Sequence, residues 1–258
     1  MSNPLLAHIP DYLVMELNHA CGALFEKACC KRFIYDLNMS DECMKLFLIK
    51  MLGYAIIVAG SIVKLPQVLK IFGAKSGAGI SSFGVLLELM AITFNSSYSF
   101  RNKFPFSAWG ESIFLAIETA LIAFMVFWFE GKRLGALLFL VIYSSVTYSL
   151  NHPTMVPMTI IWYLQSTVVY LAVSGKLLQA LKNYKAQHTG QLSAVSAYAI
   201  FGGSCARVLT TIKETGDTLT TVTFVCSSIA NGIIAGQVLW YWSSTQKFME
   251  KSKKKKTN

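Results

Sequence analysis

The sequence predicts an all-α multi-pass membrane protein: seven transmembrane helices in a 3+1+3 order, two parallel three-helix repeats joined by a linker helix. Three observations predict it. Of the 258 side chains 54% are hydrophobic and 14% charged, too apolar for a soluble domain of this size. Apolar runs of about 20 residues, enough to cross about 30 Å of hydrocarbon, recur along the chain with short connections. And one stretch near the end of an apolar run, KLPQVLKIFGAKSGAGIS from Lys64 to Ser81, returns 112 residues later as KLLQALKNYKAQHTGQLS from Lys176 to Ser193.

The apolar runs lie at 46–72, 79–100, 110–129, 133–150, 155–181, 193–212 and 219–242. The fourth is the shortest, and the sixth is diluted by Gly202, Gly203, Ser204 and Arg207. The connections leave no room for a soluble catalytic domain, so the helix bundle itself must carry the function. Asp11, Glu16 and two histidines interrupt the first 20 residues where a cleavable signal needs an apolar core, so the first spanning helix is expected to act as the insertion signal. The organisation read from the chain is a lumenal tail (1–44), a first repeat (45–129), a linker helix (133–150), a second repeat (155–243) and a basic cytosolic tail (244–258).

Orientation follows from lysine and arginine near helix ends, which favour the cytosolic side of short loops. The first, third and fifth connections and the C-terminal tail hold Lys64, Lys70, Lys75, Lys132, Arg133, Lys176, Lys182, Lys185, Lys247, Lys251 and Lys253 to Lys256. The other connections hold only Arg101, Lys103 and Lys213, so the C-terminus is expected in the cytosol and the N-terminus in the lumen. Lys27, Lys31, Arg32 and Lys45 in the N-terminal tail run against this bias. Asn38-Met39-Ser40 is a glycosylation acceptor pattern usable only in a lumen. Cys21, Cys29, Cys30 and Cys43 cluster in the same tail, where three disulfide pairings or free thiols are all open. Cys205 and Cys226 fall inside apolar helices and read as packing residues; nothing has metal-ligand spacing, and no cofactor is expected.

Aligned without a gap, the two copies are identical at Lys64/Lys176, Leu65/Leu177, Gln67/Gln179, Leu69/Leu181, Lys70/Lys182, Ala74/Ala186 and Ser81/Ser193. Each copy ends an apolar helix, makes a short basic turn and starts the next helix. A unit of three helices would be copied upside down, and an extra helix between the units restores the same sense, which gives parallel repeats about an axis along the membrane normal. KLPQVLKIF with its flanking helices resembles the PQ-loop family, which includes the SWEET sugar transporters, cystinosin-like amino-acid exporters and the KDEL receptor. The second copy departs from the motif, with Leu178 where proline would stand.

Proline removes a backbone donor and clashes with the carbonyl four residues before it. Pro66 is therefore expected to kink its helix about a turn from the cytosolic end and to free the carbonyl near Ile62, with the Gln67 amide as its partner. Such a kink suits a cytosolic gate or merely shapes the bundle. Pro66, Gln67 and the repeated Gln179 are the hinge candidates.

Within that family, residues 79–111 and 188–217 resemble the branch that serves mannose-phosphate-dolichol utilisation, and the similarity runs from about residue 45 to 243. The resemblance implies an endoplasmic reticulum protein needed for using dolichol-phosphate-mannose and dolichol-phosphate-glucose in N-glycan, GPI-anchor and O- or C-mannosylation pathways. It also implies membrane lipid as partner, and glycosyltransferases as further ones. Lys255 and Lys256, fourth and third from the end, have the register of the dilysine retrieval signal read by coat proteins, or hold a basic tail near anionic lipid. No nucleic-acid partner is expected.

No nucleophile with a base, and no carboxylate dyad, stands out, so an enzyme is not expected. Binding in a bundle turns on polar groups at membrane depth, where they are costly and tend to face a cavity. The candidates are Glu88 and Asn95, seven apart and so on one helix face, with Glu118, Thr119, Arg207 and Asn231. Asn95 and Arg207 are repeat equivalents, as are Thr119 and Asn231. SWEET-like proteins use asparagines of the third and seventh helices in the sugar pocket, and by that resemblance only Asn231 matches in type. Arg207 could meet a phosphodiester by bidentate bonding, pair with Glu88 to lock the bundle, or snorkel to the surface. Three functions stay open: handling of dolichol-phosphate sugars, carriage of a small sugar or amino acid, and a chaperone or adaptor role for lumenal glycosyltransferases.

Overall fold

The structure, a computed structural model, describes residue 29 and residues 40–77, 80–190 and 192–257, with side chains up to residue 249. The chain divides into two units, Met1–Ile56 and Ile57–Asn258. In the first, Cys29 is disulfide-bonded to Cys43 at the start of helix α1 (Asp41–Gly60). Cys21, Cys30 and Asn38 lie outside the described residues.

The second unit holds the rest of the bundle: α2 (Leu65–Ala74), α3 (Ser82–Arg101), α4 (Glu111–Phe129), α5 (Arg133–Asn151), α6 (Met158–Ala186), α7 (Ala194–Glu214), α8 (Thr218–Trp240) and α9 (Trp242–Thr257). No strand occurs among the described residues. Six segments are long and apolar enough to cross a membrane: 41–74, 111–129, 133–151, 158–186, 194–214 and 218–240. The second of the seven expected spans forms α3, a helix of 20 residues, yet it is not apolar enough to join them. Its polar side chains explain the difference, because Thr93, Ser97 and Ser99 are turned into the bundle and buried.

The expected kink at Pro66 is a break. α1 stops at Gly60, residues 61–64 turn, and α2 begins with Pro66 in its first turn, where a missing N–H costs nothing. The Ile62 carbonyl accepts from the Leu65 N–H at 3.3 Å, so the Gln67 amide is not its partner, and Gln67 is exposed. α2 runs ten residues, about 15 Å at about 1.5 Å each, so the break lies deeper than one turn from the helix end. In the second copy Leu178 keeps its N–H and α6 runs unbroken for 29 residues, with Gln179 exposed on it.

The repeat recurs in the backbone despite this difference. The C-caps of α2 and α6, Lys75 and Gln187, are 112 residues apart, and both are left-handed, with φ of 47° and 55°. The N-caps of α3 and α7, Ser81 and Ser193, keep the same offset, and each side chain accepts from an N–H three residues on, Gly84 and Ser196. In packing, α4 lies against α2 and α3, α8 lies against α6 and α7, and α3 also packs on α6. Helix α5 packs on α4 and α3. A core of Val68, Ile71, Val85, Ile122, Ala123, Met125 and Val126 joins α2, α3 and α4. At the start of α9, His188 stacks on Phe248 with ring centroids 3.9 Å apart, and the Thr189 N–H donates to Thr245. Lys255 and Lys256 fall in the last turn of α9.

Candidate functional site

Polar groups inside the bundle fall into three clusters, each joining different helices. The first is built on the duplicated lysine. From the turn after α1, Lys64 donates to the Thr119 hydroxyl at 2.7 Å and lies 2.8 Å from a Glu88 carboxylate oxygen. Lys176 on α6 donates to the Ser227 hydroxyl of α8 at 2.6 Å. Thr119 and Ser227 sit near the middles of α4 and α8. Both ammonium groups therefore reach toward the depth of helix centres, although the sequence reading counted these lysines with the connections. For Lys176 the reason is steric: it lies in the C-terminal half of α6, and a helical side chain leans toward the N-terminus of its own helix, which carries it inward.

The second cluster joins α3, α4 and α6. Asn95 on α3 donates to Ser112 at the start of α4 and accepts from the Gln165 amide of α6. Gln165 is wholly buried, and its own carbonyl oxygen has no partner among the described residues. A buried amide acceptor left open in a seam between helices is available to a donor that enters it.

The third cluster closes the end of the bundle where α3 and α7 finish and α4 and α8 begin. Arg207 is 4% exposed; it lies 2.6 Å from Glu111 and donates to the Ala108 and Ser107 carbonyls of the 3₁₀ turn Phe106–Ala108. Ser107 donates in turn to Glu214. Asp217 caps α8 by accepting from the Thr220 N–H, and it accepts from the Tyr98 hydroxyl. Arg101 performs a similar task for the α5–α6 connection, donating to the carbonyls of Leu150, His152 and Val156. These arginines fasten connections to helix ends by filling carbonyl acceptors that helices leave unpaired.

Of the alternatives left open for Arg207, the pair with Glu88 does not form: Glu88 pairs with Lys64 and Arg207 with Glu111. Nor does Arg207 snorkel, being buried. Its repeat equivalent Asn95 reaches the same place, the first turn of α4, through the neighbouring residue Ser112. Glu118 is buried with both carboxylate oxygens lacking a hydrogen-bond partner among the described residues, one residue from the Thr119 that Lys64 contacts. Asn231 is buried on α8, one turn beyond Ser227. Sequence reasoning missed Glu111, Ser112 and Gln165 as partners. The signal for Gln165 was present, a lone amide within the apolar run 155–181.

A groove of about 710 Å³ runs between α3, α4 and α5. Its wall is mostly apolar, from Phe100, Trp109, Ile117, Leu121, Phe124 and Leu140, with Ser96, Tyr143, Ser144, Thr147 and Asn151 as its polar members. Phe100, Ile117 and Leu121 are 52%, 62% and 43% exposed, so the groove opens on the outer face of the bundle and not on its axis.

Comparison with known proteins gives a PQ loop repeat over residues 48–108. The chain is also similar to human solute carrier family 66 member 3, with 24% identity over 179 residues, 69% of this chain and 86% of that protein. No solved structure matches.

Proposed function

We propose that this chain is a seven-span endoplasmic reticulum membrane protein of 3+1+3 build that serves the use of dolichol-phosphate-mannose and dolichol-phosphate-glucose. It aids the transbilayer movement or the presentation of the lipid-linked sugar, and the groove between α3, α4 and α5 takes the polyprenyl tail. The observation that carries this reading is the shape and lining of that groove. A soluble solute needs an enclosed polar site on the bundle axis, whereas a lipid needs a lateral opening with an apolar wall, and the groove of about 710 Å³ is of the second kind. In lipid its exposed Phe100, Ile117 and Leu121 face acyl chains. Ser96, Thr147 and Asn151 are among the polar members of its wall. Glu88, Asn95, Glu118, Thr119, Arg207 and Asn231 line or brace the polar interior beside it.

Other observations agree. The PQ loop repeat supports a membrane protein of the transporter type, and residues 79–111 and 188–217 carry the resemblance to dolichol-phosphate-mannose utilisation proteins. The Cys29–Cys43 disulfide suits a tail in an oxidising lumen, and Lys255 and Lys256 suit retrieval to the endoplasmic reticulum by coat proteins.

The name of the similar human protein, a solute carrier, favours a second reading, carriage of a small sugar or amino acid. One experiment separates the two. Purified protein in liposomes is given a labelled short-chain dolichol-phosphate-mannose analogue, and in parallel a labelled free hexose or amino acid. The proposal expects transbilayer movement of the lipid above that of protein-free vesicles and no uptake of the free solute. The opposite pattern overturns it.

A further inference from the structure

Duplicated residues that keep identical surroundings keep identical tasks, and the duplicated lysine does not keep them. Lys64 has a carboxylate, Glu88, at 2.8 Å in addition to its hydroxyl, Thr119. Lys176 has its hydroxyl, Ser227, and no salt bridge among the described residues. The cause is a single substitution in the repeat. Ser81 and Ser193 cap α3 and α7 in the same register, so Glu88 on α3 corresponds to Ile200 on α7. The two positions also match in exposure, 52% for the Glu88 side chain and 55% for Ile200.

Among the described residues no other acid takes the place of Glu88. Among the three helices of the second repeat, α6, α7 and α8, the sequence holds one carboxylate, Glu214, at the far end of α7. It accepts from the Ser107 hydroxyl and forms no salt bridge with Lys176. The Lys176 ammonium is thus a half-buried cation near the middle of α8 without a counter-charge. A lone charge at membrane depth is costly and marks a functional position. Its three N–H donors are engaged at one place only, Ser227, and that hydroxyl accepts from it while its own proton has no acceptor among the described contacts.

Resting on the reading above, we propose that Lys176 and Ser227 form the anion site of this protein, which receives the phosphate group of its substrate in place of the carboxylate the first repeat supplies. Arg207, the obvious sequence candidate for that task, is committed to Glu111 and two backbone carbonyls. A lysine meets phosphate as a point charge with rotatable donors, and the serine proton adds a directed bond. The same chemistry would hold a polyprenyl phosphate in the bilayer or a soluble phosphate, and the test distinguishes these sources.

The full-length protein in lipid nanodiscs is titrated with farnesyl phosphate, farnesol and inorganic phosphate, and binding is followed by native mass spectrometry. The wild type is expected to prefer farnesyl phosphate to farnesol at least tenfold. Lys176→Gln brings the ratio close to one, Lys176→Arg retains most of it, and Ile200→Glu abolishes it with the lysine still present, by giving Lys176 the partner that Lys64 has. Ile200 is exposed, so that variant decides the matter even where Lys176→Gln fails to fold. A preference that survives both Lys176→Gln and Ile200→Glu overturns the proposal and leaves the lipid reading standing. Binding of inorganic phosphate that depends on Lys176, without preference for farnesyl phosphate, upholds the anion site and overturns the lipid reading. A wild type indifferent to phosphate in either form overturns both.

Discussion

Arg207 offers the sharpest test of how the bundle is held shut at one end. Its guanidinium is 4% exposed and lies 2.6 Å from a Glu111 whose side chain is 12% exposed, so the pair is removed from water on both sides. Replacing Arg207 by Met keeps much of the volume but strands the Glu111 charge and leaves the Ala108 and Ser107 carbonyls unfilled. Breaking a buried pair from one side costs about 3–5 kcal/mol, and the same range is expected here. Glu111→Gln should cost less, because Arg207 keeps its two carbonyl acceptors and the amide can still accept a bond. Combining the two removes the stranded charge, so the double variant should fall short of the sum of the singles by about 2 kcal/mol. The assay is reversible unfolding in mixed micelles, with the folded fraction read from tryptophan fluorescence, on all four proteins. Additive losses, or an Arg207→Met protein as stable as the wild type, would refute the structural tie. They would return Arg207 to the list of substrate contacts.

Other consequences follow from local geometry. Pro66→Leu restores the N–H that Leu178 supplies in the second copy, so 41–74 should become one continuous helix; hydrogen exchange at Ile62 to Leu65 should slow by at least tenfold, and unchanged exchange would show that something other than proline breaks the helix. Gly60→Ala would place a Cβ 2.7 Å from the Cβ of Glu111, contact too close to keep, and should destabilise by about 1–3 kcal/mol in the same unfolding assay. Asp217→Ala removes the α8 cap and the Tyr98 acceptor together; it should cost about 1–2 kcal/mol, while Tyr98→Phe alone costs less because the cap bond to Thr220 remains.

Much of the helical framework was legible because burial in lipid demands long apolar runs. The expected runs 110–129, 133–150, 193–212 and 219–242 meet helices at 111–129, 133–151, 194–214 and 218–240. The run 46–72 became two helices because hydropathy does not register a missing N–H, although Pro66 marked the place. The run 155–181 ends before Lys182 and Lys185 because hydropathy stops at charged side chains, while backbone pairing carries α6 on to Ala186. For the site, the residue types were visible and their partners were not. Glu88 and Arg207 look complementary in sequence, yet each has a nearer opposite charge, Lys64 and Glu111, that only packing brings into range.

By itself the sequence determined that this chain forms long apolar helices and that a unit of it is duplicated at an offset of 112. Those are consequences of solvent and of local backbone chemistry, which a chain carries wherever it goes. The tertiary structure alone decided which charge neutralises which, that Asn95 and Gln165 join α3 to α6, and that Lys176 meets Ser227 and no carboxylate among the described residues. Electrostatic pairing and hydrogen bonding act over a few ångströms, and residues 24 to 96 positions apart come that close only once the helices have packed.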